Sequence, residues 1–186
     1  MASTDDLIVS SKYYDLDDIL AQHTNIPCTI MNTIDKDFFP LIGLSENVVI
    51  DPKGLKAEVP LWMLRTIKEH CQIILPKAYN AAVQNVLLSN ASSANLERLQ
   101  QYFYFVGMHL ADVLEREDGQ ALSDCLVQTL VQRVGDVVCK GLQGHTKPEK
   151  FDNMEKELFQ NILVWRKEIM SWVQGGKPIS NKRKHD

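Results

Sequence analysis

No run of about 18 apolar residues occurs in the sequence, so no segment is expected to span a membrane. Cysteine is sparse and unpatterned. Cys28, Cys71, Cys125 and Cys139 form no CxxC pair and stand at no zinc-finger spacing from histidine. No apolar h-region follows Met1-Ala2-Ser3-Thr4-Asp5-Asp6, so no secretory signal is read there, and reduced thiols in the cytosol or nucleus are expected. Positive charge is not in excess: the net charge of −4 argues against a duplex-DNA binder that works through bulk charge. A phosphate-cradling loop is also missing, because Gly141-Leu142-Gln143-Gly144 is followed by no Lys-Ser or Lys-Thr pair. There is no GxSxG elbow and no HExxH pair, and His23, His70, His109, His145 and His185 are scattered. Asp15, Asp17 and Asp18 lack the further oxygen ligands and the glycine of a calcium loop, and read instead as helix capping. No catalytic residue, cofactor or metal ligand is assigned.

What is present suits a globular protein. Of 186 residues, 45% are hydrophobic and 24% charged, and a chain of this length buries about 70% of its unfolded surface without covalent staples. The charge is uneven: residues 1–60 hold ten acidic and four basic side chains, a net of −6, and the rest hold fourteen and sixteen, a net of +2.

Tyr13 to His23 reads as a short helix, with Asp15 as N-cap, Leu16, Ile19 and Leu20 as its apolar stripe, and Asn25 and Pro27 as the stop. Cys28 to Ile34 alternates and is rich in β-branched residues, as a strand is; Phe38 to Leu44 is a second, weaker strand candidate. Asn47 to Ile50 and Leu55 to Val59 flank Asp51-Pro52-Lys53-Gly54 and read as a hairpin. Pro60 ends the strands and can open a helix.

Five helices are expected beyond it. The first is Leu61 to Cys71. The second starts near Pro76 and carries Tyr79, Val83, Val86 and Leu87. The third runs from an N-cap at Asn95 to Arg116, with Leu96, Leu99, Phe103, Val106, Leu110, Val113 and Leu114 inward. The fourth follows a break at Gly119, turns Leu122, Leu126, Leu130, Val134, Val137 and Val138 inward, and ends at Gly141 and Gly144. The fifth opens on a capping box, Thr146-Lys147-Pro148-Glu149, and carries Phe151, Met154, Leu158, Ile162, Trp165, Ile169 and Trp172. The expected fold is therefore α+β, mainly α: a flexible N-terminus over residues 1–12, a small β-rich domain with one short helix over 13–59, a helical domain over 60–175, and a polar basic tail over 176–186.

The helices carry more aromatics than one core stripe needs. Tyr102-Phe103-Tyr104-Phe105 covers more than half the circumference of a helix, and Trp165 and Trp172 raise the same question for the last one. Trp62, Tyr102, Tyr104, Phe105, Trp165 and Trp172 are the pool from which a partner interface is expected to be drawn. Lys182-Arg183-Lys184 is a candidate nuclear-import signal.

Several segments resemble one known family. They are Tyr14 to Leu20 with Ile26-Pro27-Cys28, the junction Leu55 to Trp62, Ile74 to Tyr79, Gln101 to Gly107, Leu126 to Leu130, and Met154 to Gln160. Together, and in this order, they resemble the Psf-three-type subunits of the GINS complex over about residues 13–184. The resemblance implies a small β-rich domain before a helical one. It also implies a non-catalytic scaffold subunit of a nuclear heterotetramer that supports the replicative DNA helicase in initiation and elongation of DNA replication. The implied partners are the three other GINS subunits and, through the complex, the Mcm helicase ring, its RecJ-like partner and polymerase, with DNA contact at most indirect or weak. The alternative reading is a helical nucleic-acid-binding regulator outside replication, which predicts a basic face on the helical part.

Overall fold

A computed structural model describes residues 15–31, 36–43, 54–144 and 147–175. Its architecture is α+β and mainly α. Asp15 caps the first helix, α1 (Leu16–Gln22), by accepting from the Asp17 amide at 3.0 Å. β1 (Asn25–Ile30) follows, then a 3₁₀ segment (Lys36–Ile42) and β2 (Leu55–Pro60). The chain turns from strand to helix at Pro60, opening α2 (Leu61–Ile67), and re-enters the sheet as β3 (Cys71–Ile73). β1 is central and antiparallel to both neighbours, pairing Cys28 with Ala57 on one side and with Ile73 on the other. Its alternating pattern turns Ile26, Cys28 and Ile30 into the core, as the period of two requires.

Several expectations are corrected here. Phe38 to Ile42 is 3₁₀ helix rather than strand: Pro40 has no amide to give a ladder, and Phe39 anchors the turn in the core. α2 stops at Ile67, and Cys71, placed at its end by periodicity, is in β3 instead, because β1 offers it a ladder. β2 pairs with β1; the other arm of the expected hairpin, Asn47 to Ile50, lies outside the described residues. So do residues 1–12, Thr146 and residues 176–186. On α1, Leu16, Ile19 and Leu20 are exposed, and Ala21 is the residue that reaches the core.

After β3 come α3 (Ala81–Asn90), α4 (Leu96–Leu99), α5 (Phe103–Val113), α6 (Arg116–Gln143) and α7 (Asn153–Val173). The expected helix from Asn95 is thus two helices. Tyr102 takes a left-handed conformation, φ 59°, between them, and a helix cannot pass through such a residue. One hydrophobic core runs from the sheet into the helices, joining Ile26 and Val59 to Phe103, Leu110 and Leu122. Tyr79 closes it over Phe103, with ring centroids 5.1 Å apart and its hydroxyl donating to the Phe103 carbonyl at 2.8 Å.

Gly119 does not break the chain: it lies inside α6, buried against α5. A Cβ there would clash with the Ala111 carbonyl oxygen, which is backbone and cannot rotate away. Alanine would gain up to about 1 kcal/mol of helix propensity, yet forcing α5 and α6 apart outweighs this. Gly119→Ala is expected to destabilise the fold by about 1–2 kcal/mol, read as a lower thermal midpoint by circular dichroism. Gly141 likewise lies within α6, where Ile162 of α7 closes to within a Cβ's reach at 2.7 Å, and Gly144 is the cap.

Candidate subunit interface

The last helix is held by a buried polar clamp. Arg133 on α6 and Glu155 on α7 are 2% and 1% exposed. The guanidinium grips the carboxylate with both edges, Nε to Oε1 at 2.6 Å and Nη2 to Oε2 at 2.8 Å. Its other donors reach the carbonyls of Ala91 and Ala94 through Nη1, at 2.7 and 2.9 Å, and of Lys150 through Nη2, at 2.9 Å. All five guanidinium donors are thereby used, which leaves none for a substrate and makes the group structural. Burial alone would lower the Arg133 pKa, but the Glu155 carboxylate outweighs it and the guanidinium is held charged.

Tyr104 donates to Glu155 Oε1 at 2.9 Å, and burial, then the Glu155 charge, pushes its phenol well up. Asp152 is the N-cap of α7, with Glu155 completing the capping box that was expected at Thr146. Asp152 also accepts the Phe103 amide at 2.7 Å, pinning the start of α5 to the start of α7. Burial raises the Asp152 pKa against the three backbone amides that work to lower it.

From this clamp α7 runs parallel to the second half of α6. Glu155 lies beside Arg133, Ile162 beside Gly141, and Arg166 beside Gly144. α6 then ends, while α7 continues for the residues 167–173, about 10 Å at 1.5 Å per residue. The expected stripe is covered only in its first half: Phe151 is buried, with Phe159 and Val137 beside it, and Met154, Leu158 and Ile162 are half-buried. Farther along, Trp165, Ile169 and Trp172 are 69%, 55% and 70% exposed. On α6, Val127, Val131 and Val134 form a second exposed stripe at steps of four and three. Turning about 100° per residue, the two stripes lie on the same side of the parallel pair, because they flank the contact line in opposite senses. Exposed apolar side chains of both helices thus share one side of the pair.

The other candidates fall elsewhere. Tyr104 lies in the chain's own core, and Phe105 and Tyr102 pack against that core half-buried. Trp62 is about half exposed, on α2. Lys182, Arg183 and Lys184 lie outside the described residues. The valine stripe was missed because Val134 and Val138 fit the inward periodicity as well as the outward one; the spacing of Val127, Val131 and Val134 was the available signal. The clamp was missed because one Arg and one Glu inside helical stripes look like solvent-facing charges.

Among the described residues, no group of three or more His, Cys, Asp and Glu is placed to hold a metal, and no helix is long and apolar enough to cross a membrane. His109 is spent on structure. Arg65 donates to its Nδ1 at 2.9 Å, so Nε2 carries the proton it gives to Asp18, tying α1 to α5.

No protein-family model matches the chain. It is similar to the DNA replication complex GINS protein PSF3 of Bos taurus, 26% identical over 178 residues, covering 88% of this chain and 81% of that protein. It is also similar to the protein of the same name from Gibberella zeae, 28% identical over 189 residues, 92% of this chain and 98% of that one. The corresponding Schizosaccharomyces pombe protein is 22% identical over 166 residues, 86% and 96% of the two chains.

Proposed function

We propose that this chain, which belongs to the PSF3 family of the DNA replication complex GINS, is a non-catalytic scaffold subunit that docks on partner subunits through the outer face of α6 and α7. Its role lies in DNA replication. The observation that carries the docking surface is the outer end of α7, where Trp165, Ile169 and Trp172 stand in water, the last two beyond the end of α6. Burying apolar surface contributes roughly 25 cal/mol per Å², and obligate interfaces commonly bury about 2,000 Å² or more with an apolar centre. A face of this kind left in water favours self-association.

The partners are the other GINS subunits and, through the assembled complex, the Mcm helicase ring and its RecJ-like partner; the site of action is the nucleus. The division into a β-rich unit before Pro60 and a helical unit after it is retained as a description of the chain's two surfaces, although β3 and the shared core join them. Co-expression tests the proposal. Expressed alone, the chain is expected to be poorly soluble or to self-associate. Expressed with the three other GINS subunits, it should enter a complex of defined mass that retains them through gel filtration. A well-behaved monomer at high concentration, indifferent to those subunits, would sink the reading.

A further inference from the structure

Cys28 and Cys71 stand on neighbouring strands and on the same face. Cys28 pairs with Ile73 and Cys71 with Ile30, two steps along the ladder, so the period of two turns both thiols to the core side of the sheet. They are 0% and 6% exposed, and neither is in a disulfide. The Cys28 thiol donates to the Cys71 sulfur. A single buried cysteine packs as a small apolar side chain; here each thiol has a second soft sulfur as its polar neighbour.

The register decides what such a pair can hold. Diagonal neighbours in an antiparallel ladder are about 7–8 Å apart at Cα, and a disulfide does not close beyond about 7 Å unless the backbone moves. A bridging metal reaches farther, because two metal–thiolate bonds of about 2.3 Å each take the place of one S–S bond of about 2.0 Å. Cys71 also gives the pair an entrance. It lines a cleft of about 570 Å³ between β3 and the corner where α5 meets α6. Glu69, Glu115 and Asp118 line the same cleft against one ammonium, that of Lys68, and a cleft with this balance concentrates cations.

Donor count and softness then choose the cation. Among the described residues no third His, Cys, Asp or Glu joins the two thiols, which leaves too few ligands for the tetrahedral shell of zinc. Calcium and magnesium seek oxygen. Thiolates select copper(I), a soft cation that two sulfurs satisfy. We infer that Cys28 and Cys71 form a two-coordinate site for a soft monovalent cation of the copper(I) kind, entered through the cleft between β3 and the α5–α6 corner. Both S–H protons pass to water as the S–Cu bonds form, and no electron is transferred. The bridge ties the edge strand β3 to the central strand β1, a link besides their ladder. The site does not depend on the docking face of α6 and α7.

The test uses the assembled complex of the chain with the three other GINS subunits, kept anaerobic and reduced with a phosphine. Copper(I) is presented as its bicinchoninate complex. The parent is expected to withdraw one more equivalent of copper than either Cys71→Ala or Cys28→Ala, because the bridge needs both sulfurs. In the parent, copper(I) should slow amide hydrogen exchange in the peptides that hold β1 and β3 and leave α7 unchanged, and Cys139→Ala, which removes the exposed thiol, should preserve that slowing. Equal uptake by the parent and both variants, or a loss in only one of them, would overturn the inference. Uptake without slower exchange in β1 and β3 would overturn it too, and this readout needs no variant that might fail to assemble. A Cys28–Cys71 disulfide in the loaded complex, found by mass spectrometry, would replace the metal site with a redox pair and count equally against it.

Discussion

Arg133→Met should lower the stability of the fold by about 3–5 kcal/mol, the loss typical when one member of a buried ion pair is removed. The substitution keeps much of the side-chain volume, so the loss comes from polar groups rather than a cavity. It strands the Glu155 carboxylate, which keeps only the Tyr104 hydroxyl and the Asp152 amide. It also takes the only donor from the Ala94 carbonyl and one of two donors from the carbonyls of Ala91 and Lys150, which keep the amides of Ala94 and Leu96, and a buried acceptor without a partner is costly. The measurement is the urea midpoint at unchanged m-value. The double change Arg133→Met with Glu155→Leu should recover part of the loss, because the stranded charge is gone, but not all, because the Ala94 carbonyl still lacks its donor. A single variant within 1 kcal/mol of the parent, about the range of a surface ion pair, would show the clamp to be solvated.

The second large effect is on assembly instead of folding. Replacing Trp165 and Trp172 together by Ser should weaken association with partner subunits about 100-fold or more, since buried interface tryptophans commonly contribute 2 kcal/mol or more each. Both rings are about 70% exposed in the isolated chain, so the thermal midpoint should barely move. Tyr104→Ser should behave in the opposite way. Its ring packs edge-on against Phe103 at 5.5 Å and its hydroxyl belongs to the clamp, so folding suffers directly and assembly only as a result. The pair of experiments separates aromatics that hold the chain together from those kept for a partner. A tryptophan variant that loses helical signal would return α7 to the internal core and remove the docking face.

Periodicity placed α5, α6 and α7 and most of their inward residues, because a 3.6-residue apolar pattern persists over several turns. It failed where a single tertiary contact decides. Gly119 looks like a breaker in one dimension, yet α5 passes so close that nothing larger fits. Cys71 continues a helical stripe, yet an open edge of β1 draws it into the sheet. The apolar stripe of α7 was legible, but not the fact that α6 ends early and leaves the last third of α7 uncovered, since where a neighbouring helix stops is not encoded in the stripe. The docking face and the internal core share one sequence signal and differ only in what lies opposite.

Seen mechanically, α7 is a cantilever. Its root is fixed by Asp152 and Glu155, its middle rests on α6 at Ile162 and Arg166, and Trp172 lies about 26 Å along the axis from Glu155 at 1.5 Å per residue. A tilt of about 5° at the root moves the tip by roughly 2 Å over that length, enough to misplace a ring in a close-packed interface. The stiffness of the root therefore sets how accurately the tip is aimed. A substitution at Arg133 would blunt partner binding from a distance, in variants that remain folded and with every interface side chain intact.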